Sequence, residues 1–157
     1  MTLPVFPDPL PIVSPVPSAD QFERACGDCT ACCLLLAVVE LNKPMRFACD
    51  HQGQGGCRIY SDRPPTCREF DCGWRRGEVP TGDDWRPDRR GVMHVGWTEQ
   101  PGGQRRDYLF ELWPGALSDP AVVAWLQGHT RTSEITLSYR NGTWQTLVPD
   151  GTDTMPG

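Results

Sequence analysis

The sequence predicts an α+β fold: a small irregular cysteine-rich half stabilised by metal, followed by a β-hairpin, a helix and a second β-hairpin. Three observations lead there. All eight cysteines lie between Cys26 and Cys72 and all six tryptophans lie from Trp74 onward, so sulfur and aromatic core occupy different stretches. Strand-like runs at 91–97 and 107–113, a helical run opened by Pro120, and strand-like runs at 134–140 and 143–148 then follow in order. The 157 residues fit one domain and fall short of a TIM barrel, which takes about 200 or more. With 38% hydrophobic and 22% charged residues the chain is too apolar to be wholly disordered. No run approaches the roughly 18 apolar residues of a membrane span, so no membrane partner is expected.

Residues 1–17 carry six prolines (Pro4, Pro7, Pro9, Pro11, Pro15, Pro17) between apolar residues, the composition of an extended polyproline-like arm. It lacks the flanking basic residue of an SH3 ligand and reads as a tail draped over the domain or left loose. This stretch has neither a basic n-region nor an uninterrupted apolar h-region, so no secretory signal is read and the expected compartment is a reducing cytoplasm.

Residues 18–76 read as a cysteine-cluster module. Ser18 and Gln21 form a capping box for a short helix bearing Phe22, which delivers the chain to Cys26. The apolar run 34–41 ends at Asn42 and Pro44, and periodicity does not separate a buried strand from a buried helix over that length. Glycine and polar residues make 50–56 a loop. Its Gly53, Gly55 and Gly56 are no nucleotide fingerprint, because no strand precedes them and Cys57 follows instead of a helix.

Residues 77–148 read as a small α+β region packed with the module as one domain. Pro101-Gly102-Gly103 joins the first two strands as a long hairpin loop. Ser118 or Asp119 caps the helix, Pro120 occupies its first turn, Val122, Val123, Trp125 and Leu126 form its apolar stripe, and Gly128 ends it. Asn141-Gly142 is the preferred type I′ pair for the last hairpin, which sets Tyr139 opposite Trp144, Leu137 opposite Thr146 and Ile135 opposite Val148, all on the helix-facing side. Residues 149–157 are expected to be a flexible tail.

The chemistry sits in the spacing Cys26-x2-Cys29-x2-Cys32-Cys33-x15-Cys49-x7-Cys57-x9-Cys67-x4-Cys72. Two-residue spacings let paired sulfurs converge on one metal while backbone N–H groups point at the thiolates. Zinc and a [4Fe–4S] cluster each take four such ligands, so the eight thiols suit two mononuclear sites or one cluster with four to spare. The first three match a bacterial ferredoxin run that breaks off at Cys33, and the pair Cys67 and Cys72 is too wide for a second zinc-ribbon knuckle. Spacing therefore indicates zinc or iron without choosing between them. Four disulfides fit the even count but not the expected compartment.

Charge agrees with a metal. Residues 24–76 hold eight basic and six acidic residues, a balance of +2, while the remainder sums to −7 within the total of −5. Basic groups ease the negative charge of a thiolate-rich centre; Arg63 and Arg68 either take that role or hold Asp62 and Glu69 in ion pairs. The acidic whole speaks against nucleic acid as a partner. His51 is a spare ligand candidate beside Cys49, whereas His94 within a strand and His129 at a helix end have ordinary structural explanations. No Ser-His-Asp set, HExxH, phosphate loop or glycine-rich cradle for S-adenosylmethionine is read, and catalysis is not the expected role.

The first cluster, Cys26-Gly27-Asp28-Cys29-Thr30-Ala31-Cys32-Cys33, with Cys49 and the string C-x-I-Y-x-x-R-P-x-x-C-R-x-F-x-C from Cys57 to Cys72, resembles the bacterial YkgJ-like CxxCxxCC family. The resemblance covers about a third of the chain, matches all eight cysteines and implies a zinc- or iron-chelating domain. Some relatives carry the cluster in flagellin lysine N-methylases, so the resemblance admits an iron–sulfur redox or protein-modifying role. A zinc-stapled module that engages a protein partner is the other alternative.

Overall fold

The computed structural model describes residues 25–98, 105–149 and 153–154. The proline-rich arm, the box at Ser18 and Gln21, and the loop Pro101-Gly102-Gly103 lie outside them. Both helices and strands are present, as an α+β fold requires. Among the described residues no helix is long and apolar enough to cross a membrane.

The cysteine-bearing half is built from short pieces. Helix α1 (Ala31–Leu35) buries Ala31 and Leu35, one turn apart, and leaves Leu34 exposed. The apolar run read as wholly buried then divides: Val38 is buried and bridges Lys43, while Val39 in the following 3₁₀ turn is 87% exposed. Strands β1 (Gln52–Gly53) and β2 (Gly56–Cys57) form a two-residue hairpin within the expected loop. Helices α2 (Pro65–Glu69) and α3 (Gly73–Arg76) carry the chain past Cys67 and out of Cys72.

After α4 (Pro87–Arg90) come β3 (Val92–Thr98), β4 (Arg105–Glu111), α5 (Pro120–His129), β5 (Ile135–Ser138), β6 (Trp144–Leu147) and β7 (Asp153–Thr154). The five strands lie in sequence order in one sheet. β4 and β5 run parallel, because α5 carries the chain back to the starting end; the other neighbours are antiparallel. Asp119 caps α5 by accepting from the Ala121 N–H at 2.9 Å, with Pro120 at the first turn, as the sequence indicates. The helix runs one residue past Gly128, and Val123 is exposed; Val122 and Leu126, four apart, supply its buried edge.

The last hairpin corrects the expected register. Ser138 pairs with Trp144, Leu137 with Gln145 and Ile135 with Leu147. Gly142 sits at φ +90° and the Tyr139 N–H bonds Thr143 O at 2.8 Å, so Arg140 joins Asn141 and Gly142 in a three-residue loop. A slip of one residue moves Trp144 to the other face of the sheet. There its ring meets Phe110 edge-on at 5.9 Å and Tyr108 at 6.3 Å. Within the expected tail, Asp153 and Thr154 pair with Leu147 and Thr146 and cover the open edge of β6.

One apolar cluster joins the halves, since Ala31, Leu35, Cys72 and Trp74 pack with Met93, Leu109, Val122 and Ile135. Edge strand β3 is gripped on both faces: Gly73 abuts the His94 ring, while Met93, next along and facing the other way, lines the thiol cavity described below. Arg46, at φ +65°, donates to the carbonyls of Glu111, Ser138 and Tyr139 at 3.0–3.1 Å and to Ser138 Oγ at 2.8 Å. The chain before Cys49 is thereby tied to the ends of β4 and β5.

A Cβ on Gly73 would lie 2.0 Å from His94 Nδ1, whereas one on Gly128 would meet nothing within 4 Å. Gly73→Ala is therefore expected to destabilise by at least about 1–3 kcal/mol through overpacking, and Gly128→Ala to stabilise by up to about 1 kcal/mol through helix propensity. Denaturant unfolding of the two variants checks the opposite signs.

Candidate metal centre

All eight cysteines, Cys26, Cys29, Cys32, Cys33, Cys49, Cys57, Cys67 and Cys72, line one cavity of about 80 Å³. All eight are free thiols. Each is placed by a short element: the Cys29 N–H bonds Cys26 O at 3.0 Å in the first knuckle, α1 carries Cys32 and Cys33, and the Cys49 N–H bonds Cys33 O at 2.9 Å. Cys57 stands opposite Gln52 in the small hairpin, Cys67 lies within α2, and Cys72 caps α3. The turn at Gly27, φ +56°, folds the knuckle under Arg86, whose guanidinium pairs with Asp28 at 2.7 Å and Asp88 at 2.5 Å.

The electrostatics are those of crowded, half-buried thiols. Burial pushes the Cys29 thiol up to about 12 and Cys72 up to about 11, and it also raises Cys26 and Cys67. Cys32 is raised because its S–H donates to Cys33, and burial adds to that; the same hydrogen bond lowers Cys33 by stabilising its thiolate. Opposing the burial, backbone N–H groups of Ala31 and Asp88 point at the Cys29 sulfur, and those of Trp74 and Arg75 at Cys72. N–H donors directed at sulfur are the arrangement that supports metal-bound thiolate.

Three cations face the cavity: Lys43, Arg63 and Arg75. Arg75, 5% exposed, pairs with Asp71 and favours the Cys26 thiolate. Arg63 stacks on the Tyr60 ring at 3.8 Å and donates to Tyr60 O at 2.9 Å, which holds it at the rim. Lys43, 8% exposed, donates to Leu36 O; burial lowers its ammonium below the usual lysine range, against the opposing pull of Cys49, Cys33, Cys32 and Cys67. Arg63 lines the cavity, but Arg68 is exposed and does not, since the residue after Cys67 on α2 points elsewhere. His51 stays outside as well, in a separate polar depression beside Asp50.

Sequence reasoning missed Lys43 and Arg75. It also missed the setting of His94, which is buried between two carboxylates: Nδ1 lies 3.4 Å from Glu78 and Nε2 3.1 Å from Asp107. Trp125 lies edge-on to the His94 ring at 6.0 Å, and His129 lies 6.5 Å away. Donor atoms of Glu78, His94 and Asp107 fall within 4.8 Å of one another. The two ring nitrogens face different carboxylates, so the imidazole clamps the turn after α3 to β3 and β4. In sequence the carboxylates are too far from His94 to signal it.

Comparisons with family models, curated proteins and solved structures find no match to this chain.

The thiol chemistry has a direct readout in chelator-treated protein. A lowered Cys33 carries more thiolate at any given pH near neutrality, while Cys29 and Cys72 stay protonated until well above pH 9. Iodoacetamide at pH 7.5 is expected to modify Cys33 at least about tenfold faster than Cys29 or Cys72. Equal rates by peptide mapping would contradict the assignment.

Proposed function

We propose that this chain is a thiolate metal-binding protein in which Cys26, Cys29, Cys32, Cys33, Cys49, Cys57, Cys67 and Cys72 hold zinc or iron, the latter including a [4Fe–4S] cluster. The observation that carries the reading is the convergence of all eight cysteines, drawn from six separate pieces of chain, on one cavity that also takes Lys43, Arg63 and Arg75. Eight thiols are soft donors suited to zinc, iron–sulfur and copper(I) rather than to magnesium or calcium. A set this dense is hard to explain by packing alone, since burial raises most of these thiols and repulsion opposes their ionisation.

Metal supplies the missing stabilisation. It displaces the thiol protons and converts mutual repulsion into shared attraction for one positive centre. The sulfurs are spread around the cavity wall, and among the described residues no three of them approach as closely as the Glu78, His94 and Asp107 donors do. Zinc holds its sulfurs at about 2.3 Å, so the thiols close in as the ion binds. Binding energy is then folding energy for the cysteine-bearing half.

Metal analysis of protein purified without oxygen, with a visible spectrum, tests the proposal. Stoichiometric zinc with no visible band supports the zinc form, the one suited to a stapled interaction module. Stoichiometric iron with a band that dithionite bleaches supports a redox or protein-modifying form. Metal-free protein with eight titratable thiols would overturn both. Chelation is expected to cost amide protection first between residues 26 and 72, with Leu109 and Ile135 in the sheet still protected; unchanged exchange in 26–72 would contradict metal-coupled folding.

A further inference from the structure

The eight cysteines share a cavity but not a common set of neighbours. Cys32 and Cys33 are consecutive on α1, where successive side chains diverge by about 100°. Cys72 belongs to the apolar cluster, and Cys29 and Cys32 pack against it. The remaining cysteine of the first knuckle, Cys26, is bonded to Cys29 through the backbone. Arg75 lies on α3, the helix that starts after Cys72, and lines the same cavity.

Cys33 accepts the Cys32 S–H but is not packed against the core cluster. Neither are Cys49, Cys57 and Cys67. Backbone bonds reinforce the grouping: the Cys49 N–H bonds Cys33 O, the Gln52 N–H bonds Cys49 O at 3.1 Å, and Gln52 pairs with Cys57 across the small hairpin. Helix α2, which bears Cys67, is moored to the 3₁₀ turn that follows α1, since the Glu40 carboxylate accepts from the Thr66 N–H at 3.1 Å and the Thr66 hydroxyl at 2.8 Å. Lys43 lines the same cavity from the stretch of chain that leads to Cys49. Cys32, hydrogen-bonded to Cys33, is the seam between the groups.

We propose that the eight thiols form two separate four-thiolate metal centres, an inner one from Cys26, Cys29, Cys32 and Cys72 and an outer one from Cys33, Cys49, Cys57 and Cys67. The proposal rests on the metal-binding reading above and adds its partition. Four ligands complete a tetrahedral zinc and four hold a cluster, so each set is a full complement. Each centre has its own neighbouring cation, Arg75 inside and Lys43 outside. The inner centre is braced by the core, and the outer rests on short loops and turns, so the outer releases its metal first.

Stepwise chelation of the anaerobically purified full chain, with saturating iodoacetamide pulses and peptide mapping, tests the partition without any substitution. Removal of half the metal is expected to open Cys33, Cys49, Cys57 and Cys67 to alkylation while Cys26, Cys29, Cys32 and Cys72 remain protected. Eight cysteines opening together, or in groups that mix the two sets, would overturn it. Cys57→Ser is expected to keep about half of the metal with the inner four still protected; loss of all metal with an intact far-ultraviolet spectrum, or of none, would overturn it as well. Protein that carries no metal and labels at all eight positions before chelation would instead overturn the metal-binding reading itself.

Discussion

Eight ionisable sulfurs brought to one cavity repel each other as thiolates and, as thiols, leave weakly bonding groups in a half-buried wall. The surrounding structure is arranged to meet that conflict. Lys43 and Arg75 are almost fully buried beside the sulfurs, and Arg63 is held at the rim by Tyr60. Backbone N–H groups are aimed at Cys29 and Cys72, and Cys32 donates its proton to Cys33. The metal proposed above would complete the same pattern, because it would bring more positive charge to the sulfurs than fixed side chains can.

The scaffold holds that wall in place from the far side. Ala31 and Leu35 anchor α1 in the core, so the residues between them present Cys32 and Cys33 in fixed directions. Gly73 packs on His94 with no room for a side chain, which sets where Cys72 enters α3. Arg46 binds the chain before Cys49 to the ends of β4 and β5. The tryptophan-bearing half thus positions sulfur: its Asp88 supplies an N–H to Cys29 and its Met93 lines the cavity.

What the sequence disclosed follows the range of the interactions involved. The cap at Asp119 and Pro120 is a local event, and its residues announce it. The turn at Asn141-Gly142 is local as well, yet the register is not, because Arg140 joins the loop and Trp144 has Phe110 and Tyr108 to cover on the other face. Cysteine spacing announces that sulfurs converge, but which cations face them depends on burial. Arg68 adjoins Cys67 in sequence and turns to solvent, while Lys43 and Arg75 reach the cavity from elements whose packing no local pattern records. The parallel pairing of β4 and β5, and the Glu78 and Asp107 clamp on His94, are likewise contacts between distant segments.

The central claim is that sulfur from this cavity, and nothing else in the chain, holds the metal. X-ray absorption at the metal edge of the anaerobically purified protein tests it most directly. The account predicts a first shell of about four sulfurs per metal, near 2.3 Å if the metal is zinc, with no nitrogen or light-oxygen scatterer. A shell of nitrogen and oxygen ligands would place the ion on groups such as Glu78, His94 and Asp107 and contradict it.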